Sequence, residues 1–86
     1  MVEIHHSAYR HGVSSEDIHP AMEHAPVTFD MDPEADPPRI LVVGPNRAGN
    51  LLEVVMLELA GGRHLAIHAM KLRPSLHGFL EEHPHG

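Results

Sequence analysis

The stretch RILVVGPNRAGNLLEVVMLELAGGRHLAIHAMK, Arg39 to Lys71, decides the fold. Three apolar runs are separated by two Gly-containing turns, the pattern of a three-strand antiparallel meander. Ile40 to Val43 is apolar at every position, and Leu51 to Leu59 is interrupted only by Glu53 and Glu58. Those two acids have opposite parity and cannot share one strand face, so both runs read as interior strands covered on both sides. Gly61-Gly62 supplies the positive φ that the second turn needs. From Arg63 to Met70 the residues alternate. Period two sets Leu65, Ile67 and Ala69 on one face, and His64, Ala66, His68 and Met70 on the other.

Working outward, Val27, Phe29 and Met31 alternate with Thr28, Asp30 and Asp32, which predicts an edge strand with one solvated face. Ser14, followed three residues later by Asp17, resembles a capping box. Val13 and Ile18 have the spacing of a hydrophobic staple, and Ile18, Ala21, Met22 and Ala25 fall on one helical face. Pro20 predicts a kink in that helix, or a 3₁₀ turn with the helix starting near Pro20. Val2 to Ile4 reads as a short edge strand, His5 to Arg10 as a helical turn, and Ser75 to Glu82 as a short C-terminal helix with Leu76, Phe79 and Leu80 inward. The expected fold is α+β: one or two N-terminal helices on a four- to five-stranded, mainly antiparallel sheet. Residues 1–86 read as a single domain, with its core over about 2–80 and a frayed end at 81–86.

Composition narrows the function. There is no cysteine, which removes disulfide scaffolds and thiolate metal sites and suits a reducing cytoplasm. The N-terminus lacks a basic segment followed by an apolar one, so no signal peptide is expected, and no apolar run is long enough to cross a membrane. The net charge is −6, but unevenly spread: residues 1–38 hold one Arg against eight Asp or Glu, and residues 39–74 hold five Lys or Arg against two Glu. A nonspecific nucleic-acid coat is disfavoured by the global sign, while the middle segment retains a local basic site.

Ten histidines suggest metal, but no H-E-x-x-H or other standard ligand spacing is present, and no cofactor is expected. His68 with Lys71 and Arg73 is the better constellation. An imidazole transfers protons near neutral pH, and nearby cations stabilise charge developing on a phosphate. RNA carries its own nucleophile, the 2′-hydroxyl, so its cleavage needs positioning, a base and an acid, but no metal. Arg39 at a strand start, Arg47 in the first turn, and His64 on the same predicted face as His68 are candidate phosphate contacts. The plainer reading of His68 is a half-buried strand residue bonded to its neighbours.

R-H-G-V-S-S-E-D-I at 10–18 resembles the K-H-G-V-S-F-E-E-A segment of BrnT-type toxins. The resemblance runs on through V-x-F-D at 27–30, I-L-V-V-G at 40–44 and R-x-G-x-L-L at 47–52, and in order and spacing covers about residues 10–73. Chains of the DUF4258 type show a similar order. The resemblance implies a RelE-like α+β scaffold and a cytoplasmic ribonuclease that cuts mRNA and is neutralised by a co-encoded antitoxin protein. Arg47 and, more loosely, Lys71 and Arg73 inherit site roles from it. His68 and Met70 stand where the family has Ser and Arg, so His68 is nominated by its own chemistry. The alternative from another class is a non-catalytic interaction module on the same scaffold, pairing with a second copy through an exposed strand.

Overall fold

The computed structural model describes residues 2–25, 27–32 and 34–74. The meander is present as β3 (Arg39–Pro45), β4 (Leu51–Glu58) and β5 (His64–Lys71), joined antiparallel. β2 (Val27–Asp32) adds antiparallel to β3 and forms one edge. β1 (Val2–Ile4) adds to β5 in parallel and forms the other edge, so the five-stranded sheet is mixed, in the order β1-β5-β4-β3-β2. One α-helix, α1 (Ser15–Glu23), and two short 3₁₀ turns, His6–Tyr9 and Ala60–Gly62, complete the described α+β fold. The predicted C-terminal helix at Ser75 to Glu82 lies outside the described residues. Among the described residues no helix is long and apolar enough to cross a membrane.

The core has a layer on each side of the sheet. On one side, Ile18 and Ala21 of α1, both fully buried, pack on Ile40, Val42, Leu52, Val54 and Met56. Burying a side chain such as Ile18 contributes about 1.5–3 kcal/mol. On the other side, Leu41, Val43 and Leu72 form a smaller cluster with Val27, Phe29, Leu51 and Val55 against it. Gly44 lets the helix approach the sheet. A Cβ at that position would lie 2.8 Å from the Ala21 carbonyl carbon and closer still to its oxygen.

α1 departs from expectation in two ways. Ser14 is the N-cap, and its carbonyl accepts from the Asp17 and Ile18 N–H groups, but its hydroxyl makes no capping bond to the helix backbone. A single α-helix also runs through Pro20, which sets aside the late start, one of the two alternatives expected there. The helix is short and is pinned on either side of Pro20 by Ile18 and Ala21, so tertiary packing overrides the lost backbone bond.

Two bulges break the predicted alternation. In β2, Asp30 pairs with Ile40 and Asp32 with Arg39, which leaves Met31 as the extra residue, 53% exposed instead of inward. In β5, Val55 pairs with His68 and Met56 with Ala66, which makes Ile67 extra. A bulge places two residues against one and reverses the pleat beyond it. Ala66 and Ala69 consequently share the helix-side core. His64 faces the helix side beside Met22 and Met56, whereas His68 lies on the opposite face, so the expectation that the two histidines share a face is corrected.

Candidate active site

Glu53 sits in the middle of β4, between Val43 of β3 and Met70 of β5, with its side chain turned to the face away from α1. It is the only buried charged residue among those described. A buried carboxylate persists only when paired, and this one is paired heavily. Oε1 accepts from the Arg73 backbone N–H at 3.1 Å and from Arg73 Nε at 3.0 Å, and Oε2 accepts from Arg73 Nη2 at 2.8 Å. His68 Nε2 lies 3.0 Å from Oε2. The Glu53 side chain is 1% exposed, against 27% for His68 and 54% for Arg73, so the anion is interior and its partners form the rim.

Burial alone would raise the Glu53 carboxyl pKa. The hydrogen bonds from the Arg73 guanidinium, the Arg73 backbone and His68 outweigh it and hold the group below the usual glutamate value. Glu53 raises the pKa of Arg73 in return. An ionised carboxylate only accepts, so His68 Nε2 must carry the hydrogen in their bond. In the neutral ring Nδ1 is then the free acceptor, with its tautomer set by Glu53.

The edge of β5 beyond β1 brings a second imidazole to His68. The Ser7 hydroxyl donates to the Ile67 carbonyl at 2.8 Å and ties the first 3₁₀ turn to the β5 bulge. The chain then turns at Gly12, whose φ is +78°. His11, just before that turn, sets its ring edge-on to His68 with centroids 5.3 Å apart and planes at 74°. His11 also lines a cleft of about 330 Å³ with Lys71, Asp17, Asn46 and Asn50. Lys71 pairs with Leu52 and leaves β5 on the helix side, opposite to His68. The imidazole of His11 therefore spans from the cleft to the Glu53–His68–Arg73 cluster.

The β3–β4 loop forms the cleft's outer wall. Asn46 Oδ1 accepts from the Ala48 and Asn50 N–H groups at 3.0 and 2.9 Å. Arg47 bends onto the first turn of α1, where its Nε and backbone N–H donate to Asp17 Oδ1 at 3.0 and 3.1 Å, and Nη1 to Glu16 at 3.0 Å. This contact, led by the Arg47 side-chain hydrogen bond, lowers the Asp17 pKa and raises that of Arg47.

The sequence-nominated residues therefore divide. His68 and Arg73 meet through Glu53, Lys71 enters the adjoining cleft, and Arg47 flanks it with its charge offset by two carboxylates. Arg39 and His64 begin β3 and β5 at the other end of the sheet, opposite Leu57 and Glu58 and so roughly 13–17 Å from Glu53 by strand rise. Glu53, His11 and Asp17 were not nominated from sequence. Among the described residues no three His, Asp or Glu side chains converge as a metal site requires.

No family model, curated protein or solved structure matches this chain.

Proposed function

We propose that this chain is a BrnT-like, RelE-like toxin domain that cleaves mRNA without a metal and is held in check by a partner antitoxin. The carrying observation is the pair of imidazoles: His68, oriented by a buried carboxylate, with His11 against it at 5.3 Å and Lys71 in the same cleft as His11. Intramolecular RNA cleavage needs this set of groups. One imidazole takes the proton of the 2′-hydroxyl as that oxygen attacks the adjacent phosphorus. The other gives a proton to the departing 5′-oxygen, leaving a 2′,3′-cyclic phosphate and a free 5′-hydroxyl. Lys71 places an ammonium beside the phosphate, where negative charge builds in the transition state. Glu53 acts through His68 as a positioning residue, fixing the orientation and tautomer of the ring. The sequence resemblance over residues 10–73 supports the toxin assignment, and the chemistry stands on the side chains.

The test is incubation of the purified protein with single-stranded RNA in excess chelator, alongside His68→Ala, His11→Ala and Lys71→Ala. Cleavage with cyclic-phosphate ends, reduced about 10²–10⁴-fold in either histidine variant, is the expected result. Intact RNA, or equal cleavage by His68→Ala, removes the enzymatic reading.

A second reading has its own observation. Arg47, Arg63 and Arg73 are all ion-paired to carboxylates of the same chain, and the net charge is −6. That balance suits a non-catalytic interaction module on the toxin scaffold, able to pair with a second copy through an edge strand. It predicts no RNA cleavage and a mass in solution that rises with concentration.

A further inference from the structure

A second cleft, of about 480 Å³, lies at the opposite end of α1, where RNA cleavage makes no use of it. Its floor is Met22 of α1, Met56 of β4 and Val2 of β1, and its rim is His19, Glu23 and His64. Three observations define its occupant.

The floor is apolar and open to solvent at Val2, which is 38% exposed. Methionine side chains are unbranched and repack readily around an incoming apolar group. Glu23 is the one full charge on the rim, set between the imidazoles of His19 and His64. α1 ends here at Glu23, and its last turn contains no basic residue. The negative end of the helix dipole thus has no cation of its own in that turn, and Glu23 adds a full charge to it. The contrast with the other end of α1 is sharp: Glu16 and Asp17 match the positive end there and are in turn paired with Arg47. The surrounding chain has the same sign, since residues 1–38 hold a single Arg against eight acids.

We propose that this cleft docks a basic amphipathic helix of a partner protein. One apolar side chain of that helix fills the floor between Met22 and Met56. A Lys or Arg one turn away sets its charge against Glu23 and the last carbonyls of α1. A second copy of this chain does not fit, because it would bring another net charge of −6 to the Glu23 carboxylate and the negative end of α1. The cleft lies at the opposite end of α1 from the one that His11 and Lys71 line, so the docking does not depend on the RNA-cleaving reading.

The full chain carrying ¹³C-methyl methionine provides the assay. Met22 and Met56 report on the cleft, and Met31, exposed on β2 among Asp30 and Asp32, reports on nonspecific attraction of cations. The probe is a helical peptide of leucine and lysine at amphipathic spacing, with a leucine–glutamate peptide as control. The Met22 and Met56 methyl signals are expected to shift saturably while Met31 stays in place, and Glu23→Gln is expected to weaken binding about tenfold. Glu23 is an exposed helix-end residue, so that variant retains the fold. Equal shifts at Met31, equal binding of the glutamate peptide, or an unchanged affinity in Glu23→Gln overturns the proposal.

Discussion

Gly44→Ala tests how α1 sits on the sheet. The new Cβ would meet the Ala21 backbone: 2.8 Å from its carbonyl carbon and 3.1 Å from its Cα, with the oxygen nearer than either. Moving the carbon from 2.8 Å out to an ordinary 3.4 Å contact requires the helix to retreat about 0.6 Å, and the oxygen demands more. Ile18 and Ala21, both at 0% exposure, would be drawn off Val42 and Val54. A radial gap of about 0.5–1 Å already forfeits a quarter to a half of the dispersion well for each contact. Overpacking costs about 1–3 kcal/mol, and a backbone obstacle belongs at the upper end. Replacing a strand glycine that has no positive φ offsets about 0.5–1 kcal/mol of this by restricting the unfolded chain. The net loss is about 2–2.5 kcal/mol, or roughly 8–20 °C in Tm for a domain of this size. The assay is thermal and urea unfolding followed by circular dichroism. Ala21→Gly in the Gly44→Ala background serves as the control, and it is expected to give no rescue because the obstruction is a carbonyl and not a methyl group. A Gly44→Ala protein melting within 2–3 °C of wild type, on the order of a neutral surface change, would refute the seating of the helix.

Glu53→Gln leaves donors of Arg73 and His68 facing an amide and is expected to cost about 1–3 kcal/mol at neutral pH. The folded-state pKa of Glu53 is depressed, so its contribution is present above the unfolded glutamate value, about 4.3, and is lost as pH falls through the folded value. The stability gap between wild type and variant, measured by urea midpoints, should therefore hold above the unfolded value and close as pH falls past the folded one. Ile18→Ala removes a fully buried side chain and should cost about 2–5 kcal/mol in the same assay. Asp17→Asn should release Arg47, read as faster exchange of its Nε–H, with little change in melting temperature because the pair is exposed.

The meander was legible because long apolar runs bounded by glycine turns have few other solutions, whereas its register, with Leu41 against Val55 and Val54 against Ala69, is set by the folded sheet. The faces of β5 were not legible. An alternation rule has no means of detecting an extra residue, and Ile67 looks like any other strand isoleucine. Met31 hid the bulge in β2 for the same reason. In the site, Glu53 did leave a signal: one carboxylate in L-L-E-V-V, in a strand read as covered on both sides, must find a cation. Arg73 lies twenty positions away in the sequence, and its role in neutralising Glu53 depends on tertiary placement. His11 left no periodic signal, because a turn tied by Ser7 to the β5 edge carries it to His68.

The extra residue at position 67 sets the phase of everything that follows it. Regular alternation through Ile67, without the bulge, would turn the end of β5 inside out, carrying His68 toward the helix and Ala69 away from it. The imidazole would then be severed from Glu53 without any change in the identity of either side chain. A comparison of this chain with a distant relation must count residues through that strand before equating histidines, because an ungapped match to a strand without the bulge exchanges inner and outer surfaces.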